Sequence, residues 1–144
     1  MRLVDSYTVV VTEATEACRD YYATWFGFEV AFEASWFVLM THPGERPLSL
    51  AFMRPDHPSA PPSPRVHQGD GSFLTLQVDD ATAEYARLVK AGLPSAMALT
   101  DEPWGQRRFG VVDPAGMWID VVEQIEPTAG WWDPYLISGT SERP

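Results

Sequence analysis

The sequence predicts an α+β fold built from two βαβββ modules, and three observations support this prediction. Both halves of the chain show the same order of strand-like and helix-like segments. A proline-rich stretch separates the halves, and in each half the helix ends in a glycine followed by an apolar residue, Gly27-Phe28 and Gly92-Leu93. Repetition of one supersecondary unit is typical of paired modules. A chain of 144 residues, 45% of them hydrophobic, suffices for one structural domain.

The first module is predicted at residues 1–54. Residues 6–11 are rich in β-branched side chains, which is typical of a strand, and residues 14–26 carry apolar side chains at helical spacing. Gly27 is well placed to end this helix, because glycine adopts the left-handed conformation without strain. Turn-forming residues then separate three further strands, predicted at residues 28–32, 36–40 and 48–53.

A linker is predicted at residues 55–71, because proline density blocks both helix and interior strand. Its first ten residues contain Pro55, Pro58, Pro61, Pro62 and Pro64. The second module is predicted at residues 72–126. An aromatic C-terminal tail follows at residues 127–144, and we expect its Trp131 and Trp132 to pack across a sheet edge, a cleft or a second subunit.

The second module repeats the elements of the first. A strand at residues 73–78 precedes a helix at residues 81–91, for which Asp79 or Asp80 is the expected N-cap and Gly92 the residue after the C-terminus. Its last three strands are predicted at residues 96–99, 109–112 and 117–122, with residues 101–108 as a loop. Asp113-Pro114-Ala115-Gly116 suits a type I turn joining the last two strands into a hairpin.

Asp120 stands out within the last strand. Alternation places Met117, Ile119 and Val121 on one face and Trp118, Asp120 and Val122 on the other. The carboxylate therefore lies among apolar side chains, which is unusual unless a ligand, a metal or a partner meets it.

Charge and cysteine content limit the classes of partner. A formal net charge of -10 argues against nucleic acids and anionic membranes, which require basic patches. The acidity serves solubility or, alternatively, attracts a cationic small molecule. Cys18, the single cysteine, cannot form an intrachain disulfide, and we expect a buried structural thiol in a cytoplasmic protein without a signal peptide.

Three motifs carry a family resemblance. Pro103-Trp-Gly105, Asp113-Pro-Ala-Gly116 and a strand with an acid at its fourth position resemble the vicinal-oxygen-chelate superfamily, which includes glyoxalase I, extradiol dioxygenases, fosfomycin-resistance enzymes and bleomycin-resistance proteins. The resemblance covers nearly the whole chain. It implies curved mixed sheets that enclose a cleft and, from the bleomycin-resistance branch, a homodimer.

The residues at the family's metal positions predict no metal and no cofactor. The first-strand ligand position falls on Ser6 or Tyr7, and residues 48–53 contain neither acid nor imidazole. Phe73 stands where many members have histidine, and only the final carboxylate position is matched, by Asp120. All three histidines are expected to be solvated loop residues, namely His42, His57 and His67.

Alternation along the strands predicts which side chains line the cleft. The helix-facing set is Tyr7, Val9, Val11, Leu74, Leu76 and Val78. Trp36 and Trp104 lie where a strand or loop closes over the cleft. The predicted ligand-binding residues are Ser6, Thr8, Trp36, Phe73, Thr75, Gln77, Trp104, Arg108, Trp118 and Asp120. Alternatively, Phe73 and Trp118 simply fill a core.

Three functions remain open from the sequence. The leading hypothesis is a metal-independent protein that sequesters an aromatic or cationic compound, such as an antibiotic. The second is a metal-dependent lyase, isomerase or dioxygenase with divergent ligands, using Asp120 as ligand or general base with help from Tyr7, Glu123 or Arg108. The third is a structural or regulatory partner protein anchored by its tail tryptophans.

Overall fold

The predicted βαβββ order is present twice in the computed structural model, which describes residues 1–59, 61 and 65–137. The elements of the first module are β1 Thr8–Val11, α1 Thr15–Phe26, β2 Glu29–Ala34, β3 Phe37–His42 and β4 Leu48–Met53. The elements of the second are β5 Phe73–Gln77, α2 Ala81–Lys90, β6 Met97–Glu102, β7 Gln106–Val112 and β8 Trp118–Gln124.

Each module contributes a four-stranded sheet with the same arrangement of strands. The orders are β1-β4-β3-β2 and β5-β8-β7-β6, so the first strand of each module pairs with the last. In the first sheet β1 runs parallel to β4, whereas β2, β3 and β4 are antiparallel neighbours. The α+β fold with two mixed sheets is therefore confirmed.

The chain divides into two compact units, each built from two stretches of sequence. One unit contains Met1–Leu74 and Val111–Ile119, and the other contains Thr75–Gly110 and Asp120–Pro144. The turn between β7 and β8 thus belongs with the first module and the linker. In that unit, the His67 amide donates to the Val11 carbonyl at 2.8 Å, which ties the linker to β1.

Tyr22 lies at the centre of the first unit. Its ring is fully buried against Phe28 and Phe52, at centroid distances of 5.4 and 5.2 Å. Cys18, one turn earlier on α1, is also fully buried, and burial, with a smaller contribution from Asp113, raises the pKa of its thiol to about 12. The prediction of a buried Cys18 is confirmed.

The predicted turn at residues 113–116 forms and is stabilised from within. The Gly116 amide donates to the Asp113 carbonyl at 2.9 Å, and the Asp113 Oδ1 accepts from the amides of Ala115 and Met117 at 2.8 and 2.9 Å. Gly69 approaches this turn so closely that an added Cβ would lie 2.9 Å from the Gly116 oxygen. Only glycine fits there, since its φ of 79° is also left-handed.

Both helices of the prediction form, with α1 ending at Gly27 in the left-handed conformation, φ 71°. Asp80 is the N-cap of α2, where its Oδ1 accepts from the Ala83 amide at 2.8 Å. Glu123 Oε2 accepts from the Ala81 amide at 3.0 Å, so a carboxylate from β8 stabilises the same helix end.

Three sequence expectations were wrong. Most of the predicted loop at residues 101–108 belongs to β6 and β7, and only residues 103–105 lie in the tight turn between them, where the Gly105 amide donates to the Glu102 carbonyl at 3.0 Å. His42 is the last residue of β3 and contacts the Phe28 ring edge-on. Tyr7 and Val9 are 49% and 39% exposed, because α1 packs on β2, β3 and β4 while β1 is an edge strand.

Candidate functional site

An ion pair between Arg108 and Asp120 lies at the centre of the candidate site. β7 carries Arg108 beside Asp120 on the adjacent β8, and the Arg108 Nη1 donates to the Asp120 Oδ2 at 2.8 Å. Asp120 is only 4% exposed. The carboxylate that the sequence left without an explanation thus meets a guanidinium of its own chain, which compensates its desolvation.

Glu102, at the end of β6, supplies a second carboxylate to the same guanidinium. Its Oε1 accepts from the Arg108 Nε and lies 3.0 Å from both Nε and Nη2. Because Glu102 and Asp120 flank one Arg108, these three groups carry a formal charge of minus one. Burial by itself lowers the pKa of Arg108, but the bonds to Asp120 and Glu102 outweigh it and raise that pKa, so the guanidinium stays charged.

Trp104 forms the aromatic wall beside this ion pair. The guanidinium carbon of Arg108 lies 4.9 Å from the centroid of the indole ring, within the range of a cation–π interaction. The Trp104 Nε1 donates to the Gln106 Oε1 at 2.9 Å, which fixes the orientation of the ring across the turn.

The C-terminal tail packs on this same turn. The amides of Ile125 and Thr128 donate to the carbonyls of Gly105 and Pro103, each at 2.9 Å. Beyond these bonds, aromatic side chains of the tail gather around Trp104. We refer to Trp104, Trp131, Trp132 and Tyr135 as the Trp104 cluster.

Contacts within the Trp104 cluster are close and directional. The Trp132 Nε1 donates to the Trp104 carbonyl at 2.8 Å. Trp131 lies 5.7 Å from Trp104, 4.7 Å from Trp132 and 5.1 Å from Tyr135, measured between ring centroids. The tail tryptophans therefore pack on the β6–β7 turn of their own chain.

The structure brings together three of the ten predicted site residues, Trp104, Arg108 and Asp120. Thr75 and Gln77 of the same unit are exposed, and Gln77 accepts from the Gln124 side chain at 3.2 Å. Trp118 is half-buried on β8, two residues before Asp120.

The other four predicted site residues belong to the first unit. Ser6, Thr8 and Phe73 are exposed there. Trp36 stacks face to face on His57, with ring centroids 3.7 Å apart and planes 5° apart. The sequence predicted a solvated His57, but the indole of Trp36 covers one face of its ring. His67 likewise has a buried Nε2.

Sequence reasoning missed four residues around the site, namely Glu102, Trp131, Trp132 and Tyr135. Glu102 was visible as the first residue of Glu-Pro-Trp-Gly, but its proximity to Arg108 requires β6 to continue to residue 102. The tail aromatics were recognised as a packing element, yet no sequence signal identified the surface that receives them.

The residues present do not fit the divalent metal that some members of the resembled family hold. Asp120 is the only residue that matches a metal-ligand position of that family, and its carboxylate is already paired with the Arg108 guanidinium. Across residues 1–59, 61 and 65–137, no group of three or more His, Cys, Asp or Glu side chains is placed to hold an ion. A divalent ion of the zinc or iron type requires three or four such ligands.

A separate pocket of about 260 Å³ lies in the first unit. Its lining residues are Thr15, Glu16, Glu33, Ala34, Ser35, Phe37 and Val38. Glu33 forms an ion pair with Arg19, and Glu16 lies 3.9 Å from Arg54. Arginines of the same unit thus balance both carboxylates.

No helix within the described part of the chain is long and apolar enough to cross a membrane.

Comparison with known proteins identifies relatives. The sequence profile described as the glyoxalase/bleomycin resistance protein/dioxygenase superfamily matches residues 4–121. No curated protein sequence matches the chain. A glyoxalase/bleomycin resistance protein/dioxygenase from Nocardioides is similar in structure, with a TM-score of 0.70 and 20% identity, over 88% of this chain and 86% of that one.

Two further solved structures differ in the activity that their names state. TnmS3, an antibiotic-binding protein from Streptomyces sp. CB03234, is 25% identical with a TM-score of 0.58, over 85% of this chain and 99% of that one. Lactoylglutathione lyase from Agrobacterium tumefaciens is 21% identical with a TM-score of 0.64, over 85% and 95%. The fold is therefore shared by a binding protein and an enzyme.

Proposed function

The chain belongs to the glyoxalase/bleomycin resistance protein/dioxygenase superfamily, and we propose that it is a metal-independent binding protein that sequesters an aromatic or cationic small molecule such as an antibiotic. One observation carries the proposal. Asp120, which occupies the only family metal position that this sequence matches, forms an ion pair with Arg108 beside the Trp104 cluster.

Sequestration requires only the groups that this site contains. A planar ligand gains affinity by burying aromatic surface against indole rings, and a few polar groups fix its orientation. No nucleophile or activated water is needed. The ion pair and the four aromatic rings therefore suit binding better than bond-making chemistry.

Two further observations support the choice of ligand class. The formal charge of -10 attracts cations and raises their rate of association. In addition, TnmS3, one of the proteins similar in structure, is an antibiotic-binding protein. We extend that activity to this chain as part of the proposal.

The alternative is a metal-dependent lyase, isomerase or oxidoreductase. That function needs Asp120 as a metal ligand or general base, and Arg108 already holds this carboxylate at 2.8 Å. Glu123, its suggested helper, accepts from the Ala81 amide at the start of α2. Both carboxylates are thus already bound by groups of the chain, which supports the binding proposal over the alternative.

The proposal is tested by calorimetric titration of chelator-treated protein with planar antibiotics, followed by mass spectrometry of the recovered ligand. We expect saturable binding of at least one compound, which is recovered unchanged, and loss of about tenfold in affinity in Trp104→Ala. Trp25→Ala, a half-buried tryptophan of α1, is the matched control. Turnover that appears only with added divalent metal would support the alternative, and absence of any binding would refute the proposal.

We also propose that the chain acts as a homodimer in the cytoplasm. Apolar side chains are exposed on the edge strands of both sheets, notably Tyr7 on the segment entering β1, Phe32 on β2 and Phe73 on β5, at 49%, 56% and 63%. Exposed apolar surface of this kind favours association.

A further inference from the structure

Arg108 occupies the position that an organic cation takes in a protein site built to recognise it. Such sites combine an aromatic face with carboxylates. Here the face is Trp104, 4.9 Å from the guanidinium carbon, and the carboxylates are Glu102 and Asp120 at 3.0 and 2.8 Å. The chain thus supplies both the receptor groups and the cation.

We propose that Glu102, Asp120 and the Trp104 face form a cation slot, which Arg108 fills as an internal ligand. A planar aromatic ligand displaces Arg108 from this slot with its amidinium, guanidinium or ammonium group. The inference rests on the proposed function and adds the charge of the ligand and the residue with which it competes.

The graded exposure of the three charged side chains makes displacement feasible. The side chain of Arg108 is 25% exposed, that of Glu102 16% and that of Asp120 6%. The cation is therefore the most accessible group, and the carboxylates lie deeper. Arg108 can move into water on its long side chain and be hydrated there, whereas the shorter side chains of the two carboxylates keep them close to their strands.

Charge balance decides in favour of a cationic ligand over an anionic one. When a cation replaces the guanidinium, both carboxylates keep a positive partner and the net charge of the slot is unchanged. An anion, in contrast, would add to the two carboxylates already present, and drawing Arg108 away from Asp120 would leave a buried carboxylate without that partner, which is strongly destabilising. The slot therefore discriminates by charge sign.

The Trp104 cluster supplies the surface for the aromatic part of the same ligand. Trp131 lies 5.7 Å from Trp104 and is tilted by 50°, so a second indole adjoins the one that borders the slot. A ring that carries its cationic group directly, as in an aryl amidine, reaches both features at once. Burial of that ring provides the net gain, because the exchange of cations is nearly balanced.

Three nearly isosteric probes test the inference: 2-naphthamidine, 2-naphthamide and 2-naphthoate, which are cationic, neutral and anionic. Binding is measured by tryptophan fluorescence and calorimetry on the full chain. We expect the order amidine, amide, carboxylate, with the amidine at least about tenfold tighter than the amide. Arg108→Ala should bind the amidine about tenfold more tightly than the wild type, because the internal competitor is gone.

Arg107→Ala is the matched control. Arg107 is the neighbouring arginine on β7, and it pairs with the exposed Asp101 at 2.6 Å. Its removal should change amidine affinity by less than about twofold. A second variant, Arg108→Gln, retains a hydrogen-bond donor toward Asp120 and keeps the inference testable if Arg108→Ala does not fold. It should also raise amidine affinity.

The inference is decided by whether removal of Arg108 raises or lowers the affinity for the charged probes. If naphthoate binds best and loses affinity in both Arg108 variants, Arg108 contacts an anionic ligand, the inference is wrong, and the proposed binding function stands. If no probe binds, the inference is wrong, and the antibiotic titration decides the proposed function separately. N-ethylguanidine should raise the Tm of Arg108→Ala but not of Arg107→Ala, and equal shifts in both would also count against the slot.

Discussion

The phenolic hydroxyl of Tyr22 donates a 2.8 Å hydrogen bond to the Oδ2 of Asp113, which lies 91 residues later in the chain. Both residues are buried, at 0% and 4% exposure. The bond connects α1 of the first module to the β7–β8 turn of the second, so a single side-chain contact ties the two halves of the sequence within the first unit.

Tyr22→Phe should destabilise the protein by about 1–3 kcal/mol, because it leaves a buried carboxylate oxygen without this donor. The measurement is urea unfolding at neutral pH. Tyr21→Phe is a matched control, since the Tyr21 hydroxyl is buried and no hydrogen-bond partner is described for it. Its removal should be neutral or stabilising. Equal losses in both variants would mean that the Tyr22–Asp113 bond contributes little.

The buried Asp113 should make stability depend on pH. Burial is the largest influence and raises its pKa above the ordinary 3.8, against hydrogen bonds from Met117, Tyr22 and Ala115 that lower it. The folded chain therefore holds this proton more tightly than the unfolded chain. The resulting stabilisation is fully present below about pH 3.8 and is lost as the pH rises through the folded pKa.

Comparison with Asp113→Asn isolates this effect. The stability of the wild type relative to the variant should decrease as the pH rises from about 4 and then level off. Urea unfolding of both proteins across that range gives the difference. A wild-type advantage that grows with pH would mean that Asp113 has a depressed pKa and is held mainly by its hydrogen bonds.

Cys18 should be unreactive in the folded protein. Its side chain is fully buried and burial raises its pKa to about 12, so at pH 8 only about one thiol in ten thousand is ionised, and none of it is accessible. Ellman's reagent should therefore label Cys18 at the rate of unfolding, and rapidly in urea. Fast labelling without denaturant would show that α1 opens locally.

Trp132→Phe should loosen the C-terminal tail. The indole N–H bond to the Trp104 carbonyl at 2.8 Å is lost while an aromatic ring remains, which costs about 1 kcal/mol. Hydrogen exchange at the Thr128 amide, which donates to Pro103, should accelerate. Tyr135→Phe keeps its ring contact with Trp131 and serves as the control, in which exchange at Thr128 should be unchanged.

Phe73→Asp should dissociate the proposed homodimer. Phe73 is 63% exposed on β5, an edge strand, so a carboxylate there is tolerated by the single chain but not in an apolar interface. Sedimentation velocity should give a dimer for the wild type and a monomer for the variant. Val89→Asp, at a 45% exposed position on α2, should remain dimeric. A monomeric wild type would refute the homodimer.

Local signals in the sequence were sufficient for the elements and their order. Gly27 and the Asp113–Gly116 turn were assigned correctly, and Asp80 was one of the two N-caps expected for α2, because capping and turn formation depend on the backbone preferences of a few adjacent residues. Strand ends were less accurate. β6 and β7 extend to residues 102 and 106 because Asp101 pairs across the strands with Arg107, a contact that depends on register.

In the candidate site, too, three residues were predicted from the sequence but the contacts between them were not. Trp104, Arg108 and Asp120 were selected from their sequence context, yet their mutual contact was not predicted, because it joins residues from a turn and two neighbouring strands. The exposure of Tyr7 and Val9 was missed for a related reason. Alternation identifies the face of a strand, but it does not say how far a helix covers that face.

The sequence by itself determined the α+β class and the repeated βαβββ order, since both follow from residue type and local spacing, and three of its motifs resembled the superfamily to which the chain belongs. Only the tertiary structure decided that Arg108 pairs with both Asp120 and Glu102, that the tail packs on Trp104, and that Tyr22 reaches Asp113. These contacts join residues distant in sequence, and the pairing of strands, which sets them, is a property of the whole fold.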